Sequence, residues 1–353
     1  MRNMAWTAVA LGLAAGMGAA PASAAAIITN GFVTLGVDDL GQLNIPGGDP
    51  SPVDGTTAVG LRHNPTGLES TSHGCLCEGW GVGIADAGGT RVASGSANNA
   101  NITANLSLVS FASTASTATS ITELRNDAND ASLLQITHEF GPAAETSSLY
   151  RVKVTVENIS GAVVEDLRYT RTFDWDIEPD TFNEVVTHSG VASTPSVLSA
   201  VDDGFANSDP FAGPRSPVVA GGIGDFVDLG PDDHGSNFDF GFGGLGIGES
   251  FEFDIFYGAT RTETAAETAL GEVGAELFSL GQEGTDPDGT GFNSSGQETA
   301  TFIFAFSGIG GEIIIPDPTP EPNGEIPLPA AFWLLATGVG ALGARRVLGS
   351  PKA

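Results

Sequence analysis

The stretch Leu149-Tyr-Arg-Val-Lys-Val-Thr-Val-Glu157 alternates apolar and polar side chains, which is the pattern of a β-strand with one buried face. Its predicted buried face consists of Tyr150, Val152, Val154 and Val156. A turn-forming Asn158-Ile-Ser-Gly161 follows, and a second alternating run continues to Asp176. The two runs predict a β-hairpin that lays one face on a hydrophobic core.

Comparable runs lie on both sides, at residues 102–111, 133–140, 250–257 and 299–307. The 353-residue chain has 49 glycines and 20 prolines to form turns between strands, and 20 phenylalanines to fill a core. We find no alternation of strands with helices and no glycine fingerprint for nucleotides, which argues against Rossmann and P-loop enzymes. The sequence predicts an all-β fold, an antiparallel β-sandwich that is either one large sandwich or a double one.

One segment has helical rather than strand periodicity. Within residues 264–280, apolar side chains recur every three or four positions, at Ala266, Leu270, Val273, Leu277 and Leu280. Thr264 and Glu267 fit a capping box, and Gly281 suits the position just past a helix end. The pattern predicts a single amphipathic helix over 264–280 that lies on a sheet.

The chain is strongly acidic, with 43 Asp and Glu against 13 Lys and Arg and a formal net charge of −30. Four of the basic residues lie near the two ends, so residues 25–325 carry 43 acidic and 9 basic groups, a net charge of −34. Because phosphate binding needs clustered Lys and Arg, we expect no nucleic-acid partner. Salt or divalent cations would relieve the self-repulsion of such a body.

The first 24 residues have the organisation of a secretory signal peptide. Arg2 precedes an apolar run, and Ala22-Ser23-Ala24 forms a small-residue cleavage site. We expect cleavage after Ala24 and export of the remainder. The alternative is a permanent N-terminal membrane helix, which the weak hydrophobicity of this Ala- and Gly-rich run disfavours.

The far end of the chain divides into a linker and an apolar tail. Residues 311–325 are Pro-rich and acidic, which is typical of an extended linker after a body of residues 25–310. Residues 328–344 carry no charge, and Arg345 and Arg346 follow at once. This length is at the lower limit for a transmembrane helix, and the arginines should stay cytoplasmic. The tail, residues 326–353, predicts an inner-membrane anchor with the body in the periplasm.

The residues that open the tail resemble a known sorting signal. They are Ile326, Pro327, Leu328, Pro329 and Ala330. With the apolar segment and Arg-Arg behind it, this motif resembles the VPLPA variant of the PEP-CTERM sorting signals, with Ile326 in place of the usual valine. The resemblance covers residues 326–346 only. It implies a Gram-negative bacterium, removal of the tail by an exosortase-type protease, and transfer of the body to the cell surface, matrix or medium.

The only cysteines of the chain, Cys75 and Cys77, lie in His-Gly-Cys-Leu-Cys-Glu-Gly-Trp. In an exported protein a cysteine pair normally forms a disulfide, here across a very small ring. On an extended strand, His73 would share their face, and the three could bind copper or zinc with His63 or Glu78 as a fourth ligand. A local disulfide, a metal or redox site, and free or intermolecular thiols all remain open.

Two acidic segments are candidate Ca²⁺ sites, and the first is Asp174-Trp-Asp-Ile-Glu-Pro-Asp180. Asp174 and Asp176 share one face of a strand, where like charges repel unless they are compensated. Arg168 on the same face, a Ca²⁺ ion or solvent could supply that compensation. The opposite face carries three aromatic residues that should join the core: Tyr169, Phe173 and Trp175.

The second segment, Asp286-Pro-Asp-Gly-Thr-Gly-Phe-Asn293, partly matches the calcium loop D-x-[DN]-x-[DN]-G. Asp286 and Asp288 would be ligands, whereas Thr290 replaces the third and Gln297 stands where the loop has Glu. Asp-Gly and Thr-Gly steps also form ordinary turns. Ca²⁺ is therefore a candidate cofactor at either segment, with an ordinary strand end or turn as the alternative.

Residues 201–248 combine many glycines with acidic residues and a histidine, including Asp202, Asp203, Asp225, Asp228, Asp232, Asp233 and His234. This composition predicts a long loop of the kind that is often functional. No spacing selects two carboxylates for glycoside cleavage, and a G-x-S-x-G elbow is absent from the sequence. The sequence therefore does not favour an enzyme.

Signal peptide, β body, linker and sorting tail together predict a non-enzymatic protein of the cell surface or extracellular matrix. Its expected partners are the exosortase-type protease and, before processing, the inner membrane. One alternative is a module that binds or cleaves extracellular polysaccharide, since β-sandwiches often host such modules. Another is a metal or redox protein centred on Cys75 and Cys77.

Overall fold

A computed structural model describes residues 25–71, 73, 78–98 and 104–314, and these residues belong to one compact unit. In these ranges the chain forms eighteen strands and one helix, and each pairing between strands is antiparallel. The predicted all-β class is confirmed for this part of the chain.

The strands and the helix have the following bounds: β1 Ala25–Thr29, β2 Val33–Asp38, β3 Leu61–His63, β4 Leu68–Glu69, β5 Glu78–Ala85, β6 Arg91–Asn98, β7 Leu106–Ser113, β8 Ala118–Arg125, β9 Ser132–Pro142, β10 Leu149–Asn158, β11 Val164–Asp174, β12 Glu184–Ser189, β13 Val197–Val201, β14 Phe226–Asp232, β15 Gly235–Leu245, β16 Ser250–Thr260, α1 Glu263–Glu272, β17 Leu277–Glu283 and β18 Thr301–Ser307.

These strands form three sheets. The largest has the order β14-β12-β17-β18-β16-β10-β9-β8-β7, the second β13-β15-β11-β5-β6, and the smallest β1-β2-β3-β4. From β10 to β16, each successive strand belongs to the other of the two larger sheets. The connections between these strands therefore cross from one sheet to the other, and several candidate site residues lie on such crossings.

Aromatic side chains fill the space between the two larger sheets. Tyr169 and Phe173 of β11 contact Phe253 and Phe304 of the nine-stranded sheet, with ring centroids 5.0 and 5.2 Å apart. The two sheets thus pack face to face, as in a sandwich. The predicted core placement of three aromatic residues is confirmed, since all are fully buried: Tyr169, Phe173 and Trp175.

The predicted buried face of β10 is confirmed by the full burial of Tyr150, Val152, Val154 and Val156. The predicted hairpin is wrong, because β10 pairs with β9 and β16 whereas β11 pairs with β5 and β15. Asn158 lies at the start of the connection from β10 to β11, which crosses to the other sheet and is not a hairpin turn. Its side-chain amide donates to the carbonyls of Ala162, Leu245 and Gly246, which anchors the end of β10 to the connection before β16.

The predicted helix begins one residue earlier than expected, and its cap differs. Thr262 is the N-cap residue, and its hydroxyl accepts a hydrogen bond from the amide of Ala265 at 3.3 Å. The predicted capping box at Thr264 is therefore wrong. Helix α1 packs on the outer face of the nine-stranded sheet through Ala266, Ala269 and Leu270.

The helix ends at Glu272 rather than at residue 280. Gly274 follows with φ of 63°, a left-handed conformation that glycine adopts without strain and that stops the helix. Leu277, Leu280 and Gly281 belong to β17. Helix α1 covers the outer face of β17, so both faces of this strand are buried. The apolar residues of β17 continue the spacing of the helix by coincidence.

The predicted long loop over residues 201–248 is also wrong, because it contains β14 and β15. β15 lies between β11 and β13, with Phe238 and Phe240 fully buried. Between them, Asp239 forms an ion pair with Arg215 at 2.8 Å. β15 is covered on both faces and contains glycines and aspartates, so its sequence does not alternate between apolar and polar residues.

Candidate functional site

A row of three buried carboxylates leaves the end of β11, formed by Asp174, Asp176 and Glu178. All three are fully buried, so the predicted solvated strand end is wrong. The main chain explains their position. The amides of Asp176 and Glu178 donate to the carbonyls of Ser70 and Glu69, at 2.7 and 3.0 Å, which holds this segment against β4.

Arg168 does not neutralise the row, although it was a predicted partner. Its guanidinium forms an ion pair with Asp166, two positions away on the same strand. The predicted salt bridge to Asp174 and Asp176 is therefore wrong, because a nearer carboxylate competes for the same cation.

Basic side chains lie at the Glu178 end of the row. Oε1 of Glu178 accepts a hydrogen bond from the hydroxyl of Ser51 and lies 3.5 Å from Nε2 of His73. The adjacent Glu69, also fully buried, lies 3.4 Å from Nε of Arg62. Burial raises the pKa of Glu69 to about 7 despite this arginine.

Asp54, His73 and Glu178 form a set with metal-binding geometry. Oδ2 of Asp54 lies 2.9 Å from Nε2 of His73, and one ligand atom from each residue lies within 4.8 Å of the other two. One imidazole with two carboxylates suits zinc or a related transition ion. A protonated His73 between two carboxylates accounts for the same distances without a metal, as a pair of ion pairs.

The Asp174 end of the row has a different surrounding. Here Asp174 and Asp176 are within electrostatic reach of Glu184, at the start of β12, and of Asp233, between β14 and β15. We call these four residues the acid cluster. Asp174, Asp176 and Glu184 are fully buried, and Asp233 is half-buried.

The buried surroundings of the acid cluster disfavour the ionised form of its carboxyl groups at neutral pH. Burial is the largest cause in each case: it raises the pKa of Asp176 to about 8 and that of Glu184 to about 9. Burial and then the neighbouring Asp176 raise the pKa of Asp174 well above its ordinary value, and burial raises that of Asp233. The cluster is therefore expected to hold protons or a cation.

Asp286, the other predicted calcium ligand, is a structural turn residue. Its carboxylate accepts hydrogen bonds from the amide and hydroxyl of Thr290, the amide of Gly291 and the hydroxyl of Thr299, at 2.6 to 3.0 Å. Asp288 is exposed to solvent. The protein's own donors thus account for the burial of Asp286 without a metal ion.

A serine and a histidine lie in contact inside the sandwich. Nε2 of His188 is 2.8 Å from Oγ of Ser236, which donates to Ser279 at 2.7 Å, and Ser279 also accepts from Trp175. All four side chains are fully buried. A nucleophilic serine must reach its substrate, so this chain of hydrogen bonds is a means of satisfying polar groups in the core.

An open groove of about 510 Å³ lies at the surface where β15, β16 and the chain after β18 meet. Phe242 and Phe251 stack in it, with ring centroids 4.3 Å apart. The rest of the lining consists of Pro195, Ser196, Ile309 and four glycines, at Gly241, Gly243, Gly308 and Gly310.

Some of these residues could have been predicted from the sequence. Glu178 continues the alternation of Asp174 and Asp176, so the pattern already placed it on their face. Glu184 and Asp233 carried no such signal, because separate crossings between the sheets bring them to the row.

The remaining sequence-predicted sites lie outside the described residues. They are Ala24, Cys75, Cys77, Ile326, Pro327, Leu328, Pro329, Ala330, Arg345 and Arg346. Of the side chains predicted to assist the cysteines, Glu78 is bound to Arg171 in the core, and Nδ1 of His63 contacts the hydroxyl of Thr66. In the described ranges we find no helix with the length and apolar character that a membrane span requires.

A scan against protein-family models finds no family that matches the chain, and a search of curated proteins finds no match either.

Proposed function

We propose that this chain is an exported, non-enzymatic protein of the cell surface or extracellular matrix. The observation that carries the proposal is the joining, in one sequence, of a signal peptide, an acidic antiparallel β body, a Pro-rich linker and a tail with a sorting motif. An exosortase-type protease removes the tail at the inner membrane, and the body then reaches the surface, matrix or medium. Its net negative charge keeps the released body soluble.

Variants of the tail test this proposal. Deletion of residues 330–353 should give a soluble periplasmic protein, because the apolar anchor is lost. Pro327→Ala with Pro329→Ala should leave an uncleaved chain in the inner membrane. Immunoblots of membrane, periplasmic and surface fractions distinguish these outcomes by location and size.

The matched control changes two prolines of the linker, Pro318→Ala with Pro320→Ala, and should be processed normally. If the deletion and the Pro327/Pro329 variant both reach the surface as efficiently as the unaltered chain, the tail is not a sorting signal.

Binding of an extracellular polysaccharide is a second candidate function, and the groove of Phe242 and Phe251 favours it. Aromatic rings with polar and backbone groups around them are the usual elements of a small-molecule site. We expect a glycan array probed with the exported protein to show binding that Phe242→Ala removes. Phe205→Ala, at an exposed phenylalanine outside the groove, should leave the binding unchanged. Absence of binding to every glycan, or equal binding by both variants, would contradict this candidate.

A further inference from the structure

Glu178 is a buried carboxylate with few partners. Its side chain is fully buried, and each oxygen accepts one neutral hydrogen bond: Oε1 from the hydroxyl of Ser51 and Oε2 from the amide of Glu69, the latter at 2.9 Å. In the described part of the chain, His73 is the one basic side chain within ion-pair distance of Glu178. A buried carboxylate without an opposite charge is strongly unfavourable, so the stability of this segment depends on what lies between Glu178 and His73.

A protonated His73 does not by itself serve both of its acidic neighbours. The imidazole carries a single hydrogen on Nε2, and this atom lies 2.9 Å from Oδ2 of Asp54 but 3.5 Å from Oε1 of Glu178. The hydrogen bond goes to Asp54, whose side chain is 47% exposed and accessible to water. The buried Glu178 receives no hydrogen bond from the histidine. A metal ion among the three side chains would contact both carboxylates at once.

We propose that Asp54, His73 and Glu178 bind one Zn²⁺ ion. One ligand atom from each residue lies within 4.8 Å of the other two. Two ligands of a tetrahedral zinc ion stand about 3.3 Å apart, since zinc bonds to nitrogen and oxygen are about 2.0–2.1 Å long. The distances of 2.9 and 3.5 Å from Nε2 of His73 to the two carboxylates lie on either side of this separation. One imidazole with two carboxylates suits zinc better than Ca²⁺ or Mg²⁺, which prefer oxygen ligands alone.

Backbone amides orient both carboxylates of the site. The amide of Thr56 donates to Oδ1 of Asp54 at 2.7 Å, and the amide of Glu69 donates to Oε2 of Glu178 at 2.9 Å. Each carboxylate thus keeps its other oxygen directed toward His73 and free of backbone hydrogen bonds, as outer partners do for metal ligands. Because Asp54 is exposed whereas Glu178 is buried, an ion can enter from the Asp54 side, where water would complete the four ligands of zinc.

The positions of the three ligands indicate what the ion does. Asp54 lies between β2 and β3, and His73 lies between β4 and β5, so both belong to connections of the four-stranded sheet. Glu178 lies on the crossing from β11 in the five-stranded sheet to β12 in the nine-stranded sheet. One ion bound by these residues fastens the smallest sheet to a crossing between the two larger ones. We therefore expect Zn²⁺ to stabilise the folded body.

Calorimetric titration with ZnCl₂ tests the proposal, using the full-length chain purified in detergent, stripped with EDTA and dialysed. We expect one Zn²⁺ per chain and a higher melting temperature with ZnCl₂, with no comparable rise in MgCl₂ at equal ionic strength. Asp54→Asn should weaken the binding at least tenfold and remove most of the rise, because the ion loses a charged ligand. The side chain of Asp54 is exposed, so this variant should fold. Glu178→Gln should weaken the binding in the same way.

The matched control is Asp49→Asn, which removes an exposed acidic residue from the same connection as Asp54 and should bind Zn²⁺ normally. Cys75→Ser with Cys77→Ser removes the thiols that the sequence also offers as zinc ligands, and this variant should keep the binding. The proposal would be overturned by absence of binding to the unaltered chain, by equal affinities in Asp54→Asn and Asp49→Asn, or by loss of binding in the cysteine variant. Equal rises in melting temperature with ZnCl₂ and MgCl₂ would also contradict it.

Discussion

After EDTA treatment, the free energy of unfolding should fall as the pH is raised from about 5 to about 8 at constant ionic strength. Asp176 and Glu184 make the largest contributions to the effect, because burial raises the pKa values of these two carboxyls to about 8 and about 9, from ordinary values of 3.8 and 4.5. Glu69 and Asp38, whose pKa values burial raises to about 7, add to it. Their protonated forms stabilise the folded state fully below the ordinary pKa values. That contribution is lost as the pH rises through the folded-state pKa values.

The expected size of this effect is large. Each carboxyl that stays protonated only in the folded state contributes about 1.4 kcal/mol per pH unit, so two of them change the stability by several kcal/mol over this range. Carboxylates whose pKa is lowered by a partner, such as Asp127 beside Arg91, titrate at lower pH and do not produce this slope. Urea unfolding at a series of pH values measures how the free energy of unfolding changes with pH.

A comparison of two variants separates the acid cluster from general repulsion between charges. Asp176→Asn should reduce the slope in EDTA, whereas Asp288→Asn should not, although both remove one acidic group. A metal-free stability that rises between about pH 5 and about pH 8, or equal slopes in both variants, would contradict this interpretation.

Arg171→Ala should destabilise the protein by about 3–5 kcal/mol, because it leaves a buried glutamate without its cation. Arg171 and Glu78 are both fully buried and form an ion pair in the core. Glu78 also accepts from the hydroxyl of Tyr257 at 2.9 Å and the amide of Leu43 at 2.7 Å. Without the guanidinium, only these two neutral donors would remain to stabilise the Glu78 carboxylate between the sheets.

The control for this prediction is Arg91→Ala, which breaks an exposed ion pair with Asp127 and should change the stability far less, because solvent screens exposed charges. Replacing both buried partners, Glu78→Gln with Arg171→Met, should cost less than Arg171→Ala alone, since no buried charge remains. Similar losses in Arg171→Ala and Arg91→Ala, measured by urea unfolding, would show that Glu78 is not held as a buried charge.

Local pattern predicted much of the fold, but not which strands pair. The alternation in β10 correctly assigned its buried face, since side-chain direction depends only on the local backbone. The partner of β10 depends on where the chain goes after Asn158, and an arch to the other sheet has the same turn-like composition as a hairpin. Burial on both faces removed the period-2 signal from β17 and β15, which led to the prediction of a helix and a loop there.

The residues of the candidate site were likewise predictable from the sequence only in part. Asp174 and Asp176 were found because two acidic residues on one strand face are recognisable in a sequence. Their burial depends on β4, β12 and the β14–β15 crossing, which are distant in sequence. Glu184 therefore had no sequence signal, although its carboxylate completes the cluster.

Mass spectrometry of both termini of the protein, isolated from the surface or medium of its native host, tests the proposed export and removal of the tail. We expect the N-terminus at Ala25 and a C-terminus upstream of Arg345 and Arg346, because signal peptide and sorting tail are both removed during export. An exported chain that keeps Met1, or one that carries the intact tail through Ala353, would contradict the proposed route to the cell surface.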